Sequence, residues 1–131
     1  MKKLIIALAL ALTTGAVHAE DAIDLRTNAE LAAHEMREQM FAASADAPEL
    51  KGISDDQRRL SLMRVMNEYT AQMDNTIAAE LAQGRTCADI VPDMRKGDRD
   101  RIATQPKDTG FVIARGKYLK NKCDLIAKDM P

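Results

Sequence analysis

The stretch that decides the fold of this chain is SDDQRRLSLMRVMNEYTAQMDNTIAAELAQG, from Ser54 to Gly84. Its apolar side chains recur every three or four residues, which is the spacing of one face of an α-helix. Ser54 is a preferred N-cap residue with Gln57 at the capping-box position, and Gly84 suits the left-handed position after a helix. The stretch therefore predicts one long amphipathic helix. Its buried face carries Leu62, Met66, Tyr69, Met73, Ile77 and Leu81.

Two further long helices are predicted on either side of it, from about Asp21 to Ala43 and from about Asp108 to Lys128. The first has a thin apolar face, made of Leu25, Ala29, Ala32, Met36, Met40 and Ala43. The last has a fuller one, made of Val112, Gly116, Leu119, Cys123 and Ile126, with Phe111, Tyr118 and Leu125 on the adjacent edge. A strand starting at Phe111 is the alternative, but no partner strand is visible in the sequence. Gly110 and Gly116 are interpreted as positions of close packing or helix bending.

Short elements fill the space between the second and the last long helix. Cys87, Ile90, Val91 and Met94 share one helical face, and Thr86 and Asp89 are placed as a cap and a capping-box partner. A second short segment is expected around residues 98–103. The sequence thus predicts an all-α fold, a small antiparallel bundle of three main helices plus one or two short ones.

The two cysteines, Cys87 and Cys123, both lie on predicted apolar faces, so we expect them to form one disulfide in an oxidising compartment. Closing a loop of this length stabilises a fold by about 3 to 4 kcal/mol in the chain-entropy description. A catalytic cysteine is the alternative, but there is no C-x-x-C motif, and a base for such a thiol is limited to His34 after export.

The N-terminal residues 1–19 have the pattern of a secretory signal peptide. Lys2 and Lys3 form a positive start, Leu4 to Leu12 an apolar run, and Val17-His18-Ala19 a small-residue exit. We expect cleavage after Ala19, no membrane anchor thereafter, and release into a bacterial periplasm. Residues 20–131 are then expected to form a single helical domain.

Charge is unevenly distributed along that predicted domain. Residues 20–57 hold ten acidic and three basic side chains, and residues 58–131 hold ten acidic and fourteen basic ones. One interpretation is that an acidic first helix packs against a more basic remainder of the same chain. The other is an acidic arm that docks on a basic partner. The balanced total charge and the four scattered aromatic residues argue against nucleic-acid binding.

Methionine is the remaining unusual feature, because thioethers bind copper(I) and silver(I) in the periplasm. Met63 and Met66 lie one turn apart, and His34, Met36 and Met40 cluster on the first helix. Packing as flexible core side chains is the other role, and the apolar faces already include most of these residues. The sequence predicts no catalytic, cofactor-binding or metal-binding residues.

A short segment, Ile53-Ser-Asp-Asp-Gln-Arg-Arg59, resembles one copy of the Leu-Thr-x-x-Gln motif of the Spy and CpxP group of periplasmic stress proteins. The resemblance implies a helical, cradle-shaped dimer that binds unfolded clients or a sensor kinase, although a second copy of the motif is missing here.

We expect a non-enzymatic module that binds another protein, either an immunity or inhibitor protein or an accessory of a secretion or conjugation apparatus. An envelope-stress chaperone and a copper(I)-binding protein are the alternatives.

Overall fold

The computed structural model describes the backbone of residues 2–130 and the side chains of residues 21–130. This part of the chain forms helices and no strands, which confirms the all-α class with three long and two short helices. The elements are α1 (Lys2–Ser44), a 3-10 turn (Pro48–Leu50), α2 (Asp55–Ala82), α3 (Cys87–Met94), α4 (Asp98–Thr104), a second 3-10 turn (Pro106–Asp108) and α5 (Thr109–Asp129).

Helix α1 is longer than the sequence pattern predicts at its start. Its backbone is helical from Lys2, whereas the amphipathic pattern begins near Asp21. The apolar run before Asp21 is rich in leucine and alanine, both strong helix formers, so the helix has no reason to stop there. The side chains of the predicted signal peptide lie outside the described residues. Among those described, no helix is long and apolar enough to cross a membrane.

Helix α2 begins and ends where its terminal signals place it. The Ser54 hydroxyl accepts a hydrogen bond from the backbone N–H of Gln57 at 3.2 Å. At the other end Gly84 has φ = +88°, and the Arg85 N–H donates to the Glu80 carbonyl at 3.2 Å. That is the hydrogen bond of a Schellman motif, which requires a left-handed residue after the helix.

The long helices pack so that α1 is antiparallel to both of its neighbours. Along the contact between α2 and α5, residue numbers increase in the same direction on both helices: Tyr69 contacts Arg115, and Asp74 contacts Tyr118. These two helices therefore run in the same direction. This is possible because α3 and α4 run back beside α5 and bring the chain to the start of that helix. Arg101 of α4 contacts the ring of Phe111 there.

The core lies where α1, α2, α3 and α5 meet. The residues of the predicted faces are buried or half-buried, and Ala43 of α1 is the exception, since it is exposed. Near this end of α1, Arg58 of α2 contacts Phe41 and Ser44, which lie on another side of the helix. The side chains that are fully buried are Met36, Met66, Ile77, Ile90, Val112, Leu119 and Cys123.

The predicted disulfide joins Cys87 at the start of α3 to Cys123 in α5, with 5.8 Å between the two Cα atoms. The local cap before α3 differs from the prediction. Thr86 precedes the helix, but its hydroxyl donates to the Asp89 carboxylate at 3.1 Å and does not accept from a backbone N–H. The disulfide and the burial of Ile90 therefore hold α3 in place without that cap.

The two glycines of α5 are sites of close packing, as predicted, although side chains rather than a helix backbone approach them. A Cβ atom on Gly110 would lie 2.7 Å from Cδ of Gln39, and one on Gly116 would lie 2.8 Å from Cζ of Arg95. Arg95 also donates to Asp98 at 3.2 Å. The segment between α3 and α4 is thereby folded against α5.

Candidate protein-binding groove

A groove of about 640 Å³ lies between α1 and α5, on the side of this helix pair that α2, α3 and α4 leave uncovered. We call it the α1–α5 groove. It exists because the three long helices share one core while the short helices cover only the far side of α5. Its lining comprises Asn28, Leu31, Ala32, His34 and Glu35 of α1, and Gly110, Ile113, Ala114, Lys117 and Asn121 of α5.

The α1–α5 groove has apolar walls and a floor of small side chains. Leu31 is 61% exposed and Ile113 is 48% exposed, although both are large aliphatic residues. Between them Ala32 and Ala114 are buried. Small residues at the floor leave room for a large side chain from outside, and the exposed aliphatic walls gain free energy when such a side chain removes them from water.

Polar groups line the rest of the groove. The Glu35 carboxylate accepts a hydrogen bond from the Gln39 amide at 3.1 Å, and the Asn121 amide donates to the Lys117 carbonyl at 2.7 Å. Glu35 forms no ion pair with another described residue, and neither does Lys117. Both charges are therefore available at the rim of the groove.

A second cavity, of about 460 Å³, lies further along the same two helices. It is lined by Asp21, Asp24, Leu25, Asp124, Ala127 and Lys128. We call it the carboxylate end of the groove, because three of these six residues are aspartates. It continues the groove, since residues 24, 28, 31 and 35 of α1 and residues 113, 117, 121, 124 and 128 of α5 each follow one helical face.

The acidic first helix is only slightly neutralised by the rest of the chain. Of its five described acidic residues, Glu38 is the one that forms an ion pair, with Arg59 of α2 at 2.9 Å. The hydrogen bond from Arg59 lowers the pKa of Glu38 below its ordinary value, with the charges of Arg59, His34 and Arg37 acting in the same direction. Intramolecular complementarity therefore accounts for one carboxylate of α1. Asp21, Asp24, Glu30 and Glu35 form no ion pair within the described part of the chain.

Most of the methionines belong to the core rather than to a surface cluster. Met36, Met66 and Met73 are buried, and Met40 and Met94 pack against the same core. The predicted pair of Met63 and Met66 is divided, since Met63 is 49% exposed and Met66 is 1% exposed. Their thioethers therefore lie in different surroundings, one at the surface and one in the core.

His34 likewise does not join Met36 and Met40, because it is exposed while Met36 is fully buried. It lines a small crevice between α1 and α2 together with Met63, Glu38, Arg37 and Arg59. The guanidinium groups of both arginines make this crevice unfavourable for a cation. Within the side chains described, no group of three or more His, Cys, Asp or Glu residues is arranged to hold a metal ion.

Leu31 and Ile113, the apolar walls of the groove, lie on none of the faces that the sequence predicts to be buried. A signal for them was present, because Leu31 lies off the predicted apolar face of α1 and Ile113 lies off that of α5. Large aliphatic residues outside the buried face indicate a contact surface when they meet in space. Whether they meet depends on how α1 and α5 pack.

Comparisons with known proteins assign no relative to this chain: no family model matches it, and no curated protein and no solved structure matches it. The motif that resembles the Spy and CpxP group is explained locally by its place in the fold. It coincides with the N-terminus of α2, where Ser54 and Gln57 form the helix cap.

Proposed function

We propose that this protein is an exported periplasmic module that binds another protein through the α1–α5 groove and catalyses no reaction. The observation that carries the proposal is the joint exposure of Leu31 and Ile113 beside a floor of buried alanines. A groove between two helices, apolar in its walls and open to solvent, is the kind of surface that takes a helix of a partner. An immunity or inhibitor protein and an accessory of a secretion or conjugation apparatus are the two roles that this description covers.

The proposal is tested by affinity capture of the tagged full-length chain from cells that export it, followed by mass spectrometry. Leu31→Glu and Ile113→Glu place a carboxylate on each wall of the groove. Val65→Glu is the matched control, because Val65 is also about half exposed but lies on α2, outside the groove. One partner in near-equal amount, lost with both groove variants and kept with the control, is the expected result.

Other capture patterns point to other functions. Many weakly held proteins, captured equally with all variants, would favour the chaperone alternative instead. A partner retained by both groove variants would show that binding uses another surface. An assay of client aggregation with unrelated unfolded proteins separates the chaperone from a dedicated module, since a dedicated module leaves aggregation unchanged.

Export is tested separately on the same preparation. We expect the intact mass of the purified protein to correspond to a chain that begins at Glu20, and we expect that protein in the periplasmic fraction. Blocking the signal, by Leu8→Arg in the apolar run, is expected to leave the full-length mass in the cytoplasm. A full-length mass in the unmodified protein would contradict the predicted cleavage after Ala19.

A further inference from the structure

The charges along the α1–α5 groove are distributed unevenly between its two ends. Glu35 and Lys117 lie at the end that carries Leu31 and Ile113. Asp21, Asp24, Asp124 and Lys128 lie at the carboxylate end. The residues that line the groove and its carboxylate end thus carry four carboxylates and two ammonium groups, and the excess negative charge lies at the carboxylate end.

This excess negative charge is available to a ligand. None of the four carboxylates forms an ion pair within the described part of the chain, whereas Glu38, outside the groove, is paired with Arg59. The two positive charges of the groove, Lys117 and Lys128, are likewise unpaired there. An apolar end and an acidic end therefore lie next to each other on one continuous surface.

The dimensions of the groove suit one helix. Ile113 and Lys128 are fifteen residues apart on α5, which corresponds to about 22 Å along a helix axis. A helix of about four turns spans that distance. Its apolar residues reach Leu31 and Ile113 if they lie near one end, and its side chains at the other end meet the aspartates.

We propose that the occupant of the α1–α5 groove is a basic amphipathic helix of a partner protein, with its apolar residues at Leu31 and Ile113 and its lysine or arginine residues at Asp21, Asp24 and Asp124. This inference rests on the proposed function and adds the chemistry of the partner. It agrees with the interpretation of the acidic first helix as an arm that docks on a basic partner.

Charge also decides against a second copy as the occupant. A second copy presents the same groove, with four carboxylates and two ammonium groups, so each face would bring excess negative charge to the other. Like charges that are brought together across an interface oppose association. A basic helix instead replaces that repulsion with attraction and buries the same aliphatic side chains.

The experiment uses three synthetic helical peptides of about 16 residues, long enough for the groove. All three share one apolar stripe at one end, and the other end carries lysine, glutamine or glutamate on the same positions. Affinity for the exported protein, purified from the periplasmic fraction, is measured by isothermal titration at low and at physiological salt. We expect the lysine peptide to bind about tenfold more tightly than the glutamine peptide, as three partly exposed ion pairs allow, and the difference to shrink with salt. The glutamate peptide is expected to bind least.

Two double variants locate the effect. Asp24→Asn with Asp124→Asn removes two charges from the carboxylate end and is expected to abolish most of the preference for lysine. Asp46→Asn with Glu49→Gln removes the same net charge from the exposed connection between α1 and α2, and is expected to leave the preference intact. Equal loss in both double variants would show a general charge effect and overturn the inference.

The remaining outcomes separate this inference from the proposed function. If all three peptides bind equally and Leu31→Glu abolishes binding, the groove binds helices but the charge inference is wrong. If no peptide binds and partner capture also fails, the proposed function is wrong as well. If sedimentation shows self-association that Leu31→Glu abolishes, the occupant is a second copy and the inference is overturned.

Discussion

The guanidinium group of Arg58 donates a hydrogen bond to the main-chain carbonyl of Phe41 at 2.7 Å and lies 3.8 Å from the centre of the Phe41 ring. It also donates to the Ser44 hydroxyl, and its side chain is largely buried. The last turn of α1 leaves carbonyl groups without a helical partner, and a side chain from the start of α2 satisfies one of them. Arg58 thus links the start of α2 to the end of α1, and Arg59 adds a second contact with the same Phe41 ring at 3.8 Å.

Replacing Arg58 is therefore expected to lower stability. Arg58→Ala removes a charge-assisted hydrogen bond to a carbonyl and a cation–π contact, so we expect a loss of about 2 to 4 kcal/mol in the free energy of unfolding. Arg58→Lys is expected to recover only part of it, because the guanidinium donates to the Phe41 carbonyl from one nitrogen and to the Asp55 carboxylate from the other, and an ammonium group lacks that planar fork. Urea unfolding followed by circular dichroism measures the change. Arg64→Ala, at an exposed position of α2, is the control, and equal losses in both variants would contradict the argument.

Loss of the disulfide between Cys87 and Cys123 is also expected to lower stability. Replacing Cys87 and Cys123 together by alanine opens a loop of 36 residues, so the free energy of unfolding is expected to fall by about 3 to 4 kcal/mol. Faster digestion by a protease at low concentration should accompany the loss. Thiol titration of the unmodified exported protein is expected to find no free thiol, and finding two would refute the link between α3 and α5.

Shortening a side chain to alanine is expected to affect stability differently on the two faces of α1. Met36 is fully buried, so Met36→Ala should cost about 2 to 5 kcal/mol by loss of contacts and by the cavity that remains. Leu31 is mostly exposed in the groove, so Leu31→Ala should change stability by no more than about 0.5 kcal/mol. Denaturant melts of both variants test this difference. A large loss in Leu31→Ala would mean that this wall of the groove is covered within the protein itself.

The environment of Tyr118 is expected to make the free energy of unfolding depend on pH in the alkaline range. Burial, together with the hydrogen bond that its hydroxyl donates to Asp74 at 2.7 Å, raises the pKa of Tyr118 well above its ordinary value. The unfolded chain ionises near pH 10 while the folded one stays protonated, so stability is unaffected below that pH and falls above it. The slope from this group approaches about 1.4 kcal/mol per pH unit.

The measurement compares unfolding free energies of the unmodified protein and Tyr118→Phe between pH 8 and 11. The variant is expected to be less stable at pH 8, because Asp74 loses a hydrogen bond, and to fall less steeply above pH 10. Parallel curves would show that Tyr118 ionises as freely in the folded state as in the unfolded one.

Local patterns in the sequence were sufficient for the helices and for the disulfide. The ends of α2 depend on Ser54, Gln57 and Gly84, whose hydrogen bonds reach no further than a few residues. The buried faces of α2 and α5 follow from helical periodicity, and Cys87 and Cys123 lie on such faces. Short-range rules worked less well at Thr86, since its hydroxyl can donate to the Asp89 side chain instead of accepting from the backbone.

The groove and the unpaired acidic residues were decided only by the tertiary structure. The sequence determined which side chains lie on one helical face, because the period of the helix is a local property. It did not determine that α1 and α5 pack side by side with Leu31 near Ile113, or that Arg58 is buried against Phe41. Nor did it determine that most of the described carboxylates of α1, in residues 21–44, form no ion pair with another described residue. Those relationships join residues far apart in the chain, and they depend on how the short helices α3 and α4 return the chain and which side of α5 they leave open.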